Sequence, residues 1–312
     1  MNATNEIQIT IAGALFVDIS RESVGERVGA KRPVRYEIKL GGSAGNMLRA
    51  LGQMGLRINV HSAAHPFFIA GIRAEVRRLG GTPFITESED ALAISQIEQG
   101  SNGGSLLDVH RPTLRHKDIA TDDFTTNIRA SALSILGPIS EPSEAVLLMK
   151  EMTDSAQRSV MIPHPKVLVD PGFASGAQKM AAIILNRDEA NRIAPSDDAS
   201  CDPVSHLRCL IGGETDIVVT NGRETLVAWA QNNCHEKRPR DVGHVRSDFG
   251  AGDTLAGRYF YYRFVAGLAA GTALDQALDD VAAFLQAPAK PAKSANLGTG
   301  AGIHGLGSFI GF

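Results

Sequence analysis

Gly250-Ala251-Gly252-Asp253 sets three small residues and one carboxylate directly ahead of Leu255, Tyr259, Tyr262 and Ala266. Those apolar positions recur at helical spacing, so the glycines are expected to open a helix over 253–268. Residues without bulk let backbone N–H groups point at a ligand, and the positive end of a helix dipole favours an anion there. An aspartate beside such an anion hole is placed to take a proton from a hydroxyl that attacks phosphorus. On this stretch alone a second reading stands level with it: Asp253 capping its own helix, as aspartate often does.

A second glycine-rich turn, Gly41-Gly42-Ser43-Ala44-Gly45-Asn46, is followed by Leu48, Leu51, Met54 and Gly55 and enters a helix of its own. One such turn is weak evidence; two distinct ones in this order, about two hundred residues apart, are much stronger. Asp18 follows the first apolar run, Asn186-Arg187-Asp188-Glu189 carries an Asn-x-x-Glu pattern, and Thr220-Asn221-Gly222 ends an apolar run. Together these motifs resemble those of the ribokinase-like (PfkB) family of sugar and nucleoside kinases, and the resemblance covers most of the chain.

The resemblance implies an α/β fold: a doubly wound, mostly parallel sheet with helices on both faces, plus a small β lid. It implies transfer of the γ-phosphoryl group of ATP, with Mg²⁺, to a hydroxyl of a small sugar or nucleoside. Asp253 is then the general base, and the backbone of Gly250, Ala251 and Gly252 the anion hole. Asp18, Gly41, Gly42 and Asn46 fall to the acceptor: a carboxylate acceptor and an amide donor suit polyol hydroxyls, and the glycines let backbone approach and the lid hinge. Asn186, Thr220, Asn221 and Gly222 fall to the nucleotide, and Glu189 to water around magnesium, an ion that keeps several waters. Plain structural readings stand beside these. Asp18 is also a strand-end turn residue, Asn46 a first-turn polar group, Glu189 an acid complementing a helix dipole, and Asn221-Gly222 a hairpin turn between 217–220 and 225–229. For Asp18 and Asn46 the two signatures together favour ligand contact; for Glu189 the readings stand level.

These residues need a scaffold, and the chain supplies short apolar runs alternating with helical patterns, as a doubly wound sheet does. Strands are expected at 7–17, 57–61, 132–136, 167–170, 182–185, 217–220 and 242–245, and helices at 43–54, 66–79, 142–154, 204–211, 253–268 and 274–285. Ligands of open α/β sheets gather beyond the carboxyl ends of the strands, and Asp18, Asn186, Thr220 and Gly250 all fall at such ends or just past them. Segments 28–40 and 84–109, the second broken by Gly100-Ser101-Asn102-Gly103-Gly104, depart from the alternation and read as the lid. The resemblance implies that this lid covers the acceptor and pairs in a homodimer, which also protects its edges. Residues 1–312 read as a single domain with no internal repeat, and Pro195-Ser196-Asp197-Asp198 as a loop within it.

Composition agrees with a globular enzyme: 43% of the 312 residues are apolar and 21% charged. A net charge of −3 gives no broad attraction to nucleic acid or to an anionic membrane, and Lys237-Arg238-Pro239-Arg240 reads as a solvated loop. No run approaches the eighteen or so apolar residues of a membrane span, and the N-terminus reads as a strand rather than a signal peptide. Three cysteines, Cys201, Cys209 and Cys234, form no metal or disulfide pattern, so the cytoplasm is the expected compartment.

Gly13 stands without the Gly-x-Gly-x-x-Gly of a nicotinamide enzyme, and no Gly-Lys-Ser/Thr marks a P-loop. The competing reading is a sugar- or nucleoside-binding or regulatory protein that kept the fold without turnover. Three places depart from the family pattern. His65-Pro66-Phe67-Phe68 stands where Gly-Asp and a further glycine are usual, so acceptor recognition is expected to differ. Ser247-Asp248 inverts the usual order before the second signature, leaving a hydroxyl where many members hold a monovalent cation with aspartate; potassium activation is expected to be weak or absent. In the tail, 288–312, only Thr299-Gly300-Ala301 is similar to the family's nucleotide-side ending.

Overall fold

The computed structural model describes residues 6–23, 34–100, 103–193, 203–212, 214–243, 245 and 248–286. The chain runs β1 (Gln8–Ala12), β2 (Phe16–Ser23), β3 (Val34–Gly41), α1 (Gly42–Leu51), β4 (Arg57–Ala64), α2 (Pro66–Arg78) and β5 (Gly81–Glu87). It continues through β6 (Ile94–Gly100), β7 (Gly103–His110), α3 (His116–Ile119), α4 (Asp122–Ala130), β8 (Leu133–Leu136), α5 (Pro142–Ser155) and β9 (Ser159–Met161). Then come α6 (Phe173–Ala177), β10 (Ala182–Asn186), α7 (Arg187–Asn191), α8 (Pro203–Ile211) and β11 (Asp216–Thr220). It closes with β12 (Leu226–Ala230), β13 (Asn233–Lys237), α9 (Ala251–Phe260) and α10 (Ala270–Gln286).

Nine strands form one sheet in the order β13-β12-β11-β10-β9-β8-β1-β4-β5, parallel from β11 to β5 and antiparallel at β12 and β13. Alternation along each central strand feeds two cores. Ile9, Ile11, Leu133, Ile135, Ile184 and Val218 face the layer of α1, α2, α9 and α10. Ala12, Leu136, Ile183, Leu185, Ile217 and Val219 face that of α4, α5, α6 and α8. This is a doubly wound α/β sheet with helices on both faces. A second, four-stranded sheet, β3-β2-β6-β7, stands beside it.

Several sequence expectations are corrected. The run at 7–17 is two strands: the chain leaves the large sheet at Gly13 (φ +155), where a Cβ would approach the Gly137 backbone to 3.1 Å, and joins the small one at Phe16. Asp18 therefore lies inside β2 rather than beyond β1. Residues 167–170 form a 3₁₀ turn over Val167–Val169 whose Val167 and Leu168 are buried while Val169 is exposed, and the three-residue β9 takes the place in the sheet. Short buried apolar runs do not announce their geometry by periodicity. Val242, Gly243 and Val245 lie in no strand. Of the expected lid, Phe84–Glu87 belongs to β5, where Phe84 pairs with His61, and the small sheet draws instead on β2 and β3 with β6 and β7. Residues 28–33 of that expectation lie outside the described ones, as do Pro195-Ser196-Asp197-Asp198. The helix expected over 253–268 is α9 followed by a π-turn, Tyr261–Val265, closed by Ala266 N–H on the Tyr261 carbonyl (2.9 Å).

That π-turn brings Arg263 onto Asp216 at the start of β11 (2.7 Å), in a nearly buried pair to which Tyr259 also donates (3.2 Å). Removing one partner of such a pair leaves a buried charge, so the contact locks the far end of α9 to the sheet.

Buried in β4, His61 stacks on Phe84 (4.6 Å between centroids) and meets Phe124 edge-on. Burial lowers its pKa from 6.5 to about 4. The unfolded chain takes up this proton near pH 6.5 and the folded chain near pH 4, so the stability is whole above pH 6.5 and is lost as pH falls toward 4. Urea unfolding at pH 7 and pH 5 should differ by about 2 kcal/mol, and His61→Phe should remove most of that difference. Equal wild-type stability at the two pH values would show a solvated imidazole.

Candidate active site

The Asp248–Ala251 turn opens α9: the Ala251 N–H donates to the Asp248 carbonyl (3.0 Å), and Gly250 caps the helix in the left-handed region (φ +84, ψ 0) that glycine enters without strain. This corrects one part of the expected anion hole, because the Ala251 N–H is already engaged. The N–H groups of Gly252 and Asp253, next in the first turn, have no acceptor within their own helix. Gly252 is exposed, with nothing within 4 Å of where a Cβ would sit, so backbone there is open to a ligand. Asp253 makes no side-chain cap; its Oδ2 accepts from Asn46 Nδ2 at 2.8 Å and its carboxylate from Ser43. The capping alternative thereby falls away.

The other half of the site is the entry to α1. Arg49, one turn on from Asn46, donates from Nη1 to Asn46 Oδ1 (2.9 Å) and from Nη2 to the Leu40 carbonyl. A guanidinium can only donate, so it turns the amide oxygen toward itself and the amide nitrogen toward Asp253. At Gly41 a Cβ would fall 1.8 Å from Asp18 Oδ2, and at Gly42 (φ +73) one would fall 2.7 Å from the Ala14 carbonyl and the Phe16 ring. The glycines are what let Asp18, in the paired strand β2, lie against the start of α1. Ser95 of β6, level with Asp18 in the parallel register, donates to its carboxylate.

Burial raises the pKa of Asp253, against the hydrogen bonds from Asn46 and Ser43. Burial also raises that of Asp18, offset by the Ser95 hydrogen bond and the charges of Arg49 and Lys39, while the Asp253 charge pushes it further up. Arg49, itself desolvated, is lowered.

These groups line one cleft of about 260 Å³ beyond the carboxyl ends of β1, β8 and β9. Asp18, Gly42, Asn46, Gly250 and Asp253 border it; Gly41 lies behind Asp18. Of the expected nucleotide residues none lines it. Asn186 and Thr220 are register partners at the ends of β10 and β11, with Asn221 and Gly222 in the loop to β12, on the same edge of the sheet. Asn186 and Glu189 form a reciprocal capping box on α7, each bond 2.8 Å, which places Glu189 in the first turn and engages its Oε2. Asn221-Gly222 does turn β11 into β12, its turn closed by Glu224 N–H on the Asn221 carbonyl (2.9 Å). His65 and Pro66 start α2, with His65 Nδ1 capping Phe67 N–H, and none of residues 65–68 borders the cleft. Ser247 and the tail motif 299–301 lie outside the described residues. Among the described residues no three His, Cys, Asp or Glu cluster as metal ligands.

Reading the sequence missed Ser43, Arg49, Ser95, Arg111, His164 and Phe249. Ser43 sits inside the glycine-rich stretch and Arg49 one helical turn from Asn46, so both were within reach. Ser95 and Arg111 reach the cleft only through the pairing of β2 with β6 and β6 with β7, which no local pattern encodes.

No family model matches the sequence, and no curated protein matches it. Solved structures do resemble it. A carbohydrate kinase from Agrobacterium tumefaciens is 18% identical with a TM-score of 0.68, over 90% of this chain and 91% of its own. Phosphofructokinase-2 from Escherichia coli, solved with substrates and products, is 14% identical with a TM-score of 0.71, over 90% and 99%. Ribokinase from Arabidopsis thaliana, complexed with ribose and ATP, is 14% identical with a TM-score of 0.69, over 91% and 94%. At such identities the likeness shows the fold: this chain has the ribokinase-like fold.

The contact of Gly41 with Asp18 is testable without reference to activity. Gly41→Ala should cost about 1–3 kcal/mol, because the new methyl must displace the carboxylate. Adding Asp18→Ala should relieve that strain, giving a coupling of roughly 1 kcal/mol or more in a double-mutant cycle. Strictly additive losses would mean that Asp18 does not lie over Gly41.

Proposed function

We propose that this protein transfers the terminal phosphoryl group of ATP to a hydroxyl of a small polyol, a sugar or a nucleoside. The observation that carries the reading is the Asn46–Asp253 hydrogen bond, which brings the two glycine-rich helix entries to one cleft. The solved structures of similar fold, a phosphofructokinase-2, a ribokinase with ribose and ATP and a nucleoside kinase with inosine, support it.

In this reading the acceptor lies between Asp18 and Asp253. Asp18, steadied by Ser95, accepts from one hydroxyl, and Asp253 takes the proton of the attacking one. A carboxylate whose pKa burial has raised is a better base near neutral pH than a solvated one, and the Asn46 bond fixes where its lone pair points. The open N–H groups of Gly252 and Asp253, at the positive end of α9, face the charge that develops on phosphorus. Asn186, Thr220, Asn221 and Gly222, next along the same sheet edge, hold the nucleotide. Mg²⁺ bound to the phosphates would shield their charge. Glu189 fits an ion that retains its waters, since among the described residues only Oε2 accepts the cap of α7, and one half-buried carboxylate makes no protein cage. The small sheet, whose Ile97, Leu106 and Val109 border the cleft, serves as its lid. Such chemistry fits the ATP-rich cytoplasm. Among the described residues no helix is long and apolar enough to cross a membrane.

Asp253→Asn keeps the size and polarity of the side chain but removes the base. In a coupled assay over a panel of sugars and nucleosides, turnover should fall by ~10²–10⁴-fold while nucleotide binding persists. Near-normal turnover in the purified variant would sink the assignment.

The lid also bears on assembly. Its outer strands β3 and β7 each pair on one side only among the described residues, and Tyr36, Leu106 and Leu107 upon them are exposed. A dimer joined there would cover the edges. Light scattering at micromolar concentration should report twice the 33.1 kDa of one chain; only single chains would count against pairing.

A further inference from the structure

The cleft is lopsided in charge. Its carboxylates, Asp18 and Asp253, stand by the entries to α1 and α9; beyond them lie Arg111, just after β7, and His164, after β9. Arg111 has no hydrogen bond or ion pair among the described residues, whereas Arg115, four residues on, is held by Asp90. Burial and the charges of Arg111, Lys166 and Arg192 all disfavour a second proton on His164, which keeps its ring neutral. Its Nδ1 accepts the Lys166 N–H (3.3 Å), which places the ring proton on Nε2 as a donor.

An unpaired guanidinium beside a neutral N–H donor is what a carboxylate or a phosphate needs. The rest of that wall is mostly apolar, with Ile97, Leu106, Val109 and Leu114, and Ser140 adds a hydroxyl that donates to the Pro112 carbonyl (3.3 Å). A neutral ligand filling the cleft would strip water from the Arg111 charge and return no partner, so the arrangement discriminates against it. Arg111 leaves the last strand of the lid with Val109, on the acceptor's side, and the residues assigned to the nucleotide do not border the cleft.

We propose that the molecule bound in this cleft carries an anionic group, carboxylate or phosphate, gripped by Arg111 and hydrogen-bonded by His164, so that the acceptor is a sugar acid or a sugar phosphate rather than a neutral sugar or a nucleoside. The identity of the acceptor rests on the phosphoryl-transfer reading; the anion site itself does not.

Calorimetry without nucleotide separates the two. D-gluconate, D-fructose 6-phosphate, D-fructose and inosine are titrated into wild type, Arg111→Gln and Arg111→Lys. At least one anion should bind at least about tenfold tighter than both neutral compounds, as a charge-assisted contact provides. Gluconate leading marks a carboxylate site, and fructose 6-phosphate leading a phosphate site. Arg111→Gln should abolish the advantage and Arg111→Lys restore part of it, with the affinity for a non-hydrolysable ATP analogue unchanged within about twofold. The side chain is exposed and unpartnered, so the variants should fold, and thermal melting confirms this. The proposal is overturned if fructose or inosine binds as tightly as the anions or if no anionic polyol binds. It is equally overturned if Arg111→Gln weakens the ATP analogue and spares the polyols, which would give the guanidinium to the transferred phosphoryl group. Anion binding that depends on Arg111, in a protein that phosphorylates no acceptor, would uphold the site and reject the kinase reading.

Discussion

One hydrogen bond between residues 207 positions apart, Asn46 Nδ2 to Asp253 Oδ2 at 2.8 Å, is the constraint on which the cleft depends. A bond of that length across two helix entries needs the helices themselves to be fixed side by side. Met47 and Leu51 of α1 pack at Gly257 of α9, where a Cβ would stand 3.6 Å from each side chain, an ordinary van der Waals contact, so the two helices lie closely side by side. The far end of α9 is tied to β11 by the Asp216–Arg263 pair. With both ends held, the first turn of α9 has little freedom, and a donor to a charged acceptor, worth roughly 1.5–3 kcal/mol, is enough to set the carboxylate.

The small sheet is positioned by the same economy of space. Gly13 turns the chain out of the large sheet, and Gly41 and Gly42 turn it back, leaving no side-chain volume between Asp18 and the entry to α1. Parallel pairing of β2 with β6 then places Ser95 level with Asp18, and antiparallel pairing of β6 with β7 carries the chain back along the cleft wall to Arg111. Register, more than composition, decides which side chains meet, since a one-residue slip would turn Asp18 and Ser95 to the other face.

How far the sequence disclosed this follows from the range of each interaction. Both glycine-rich entries were legible because their geometry is local: a positive φ, a missing Cβ and a following apolar stripe are written within a dozen residues. The central strands β4, β8, β10 and β11 were legible from their apolar runs, and the sheet order agrees with the alternation. The run at 167–170 misled because the same burial serves a 3₁₀ turn packed on α5 as serves a strand. The polar edge strand β13 went unseen: its two-residue turn, Gln231-Asn232, takes positive φ at both positions without a glycine to mark it. For Asp253 its own stretch left base and cap level and the second glycine-rich signature favoured the base, while the structure shows no side-chain cap and a hydrogen bond to α1 instead.

The half-buried guanidinium of Arg49 bears on the charge balance of the cleft. Asp18 and Asp253 repel each other across the cleft, and burial raises both, so two free carboxylates there would favour protonation. Arg49 lies behind them, lowering Asp18 through its field and reaching Asp253 through the Asn46 amide. Its own desolvation is offset by Asp18, Glu75 and Glu37. Its second arm holds the Leu40 carbonyl, at the root of the small sheet, so the cation whose charge lowers the pKa of Asp18 also sets where that sheet begins. A neutral residue at position 49 would release both at once: the amide would lose the donor that orients it, and the Leu40 carbonyl its partner. The charge state of the cleft and the seat of the sheet above it are therefore one property of the fold.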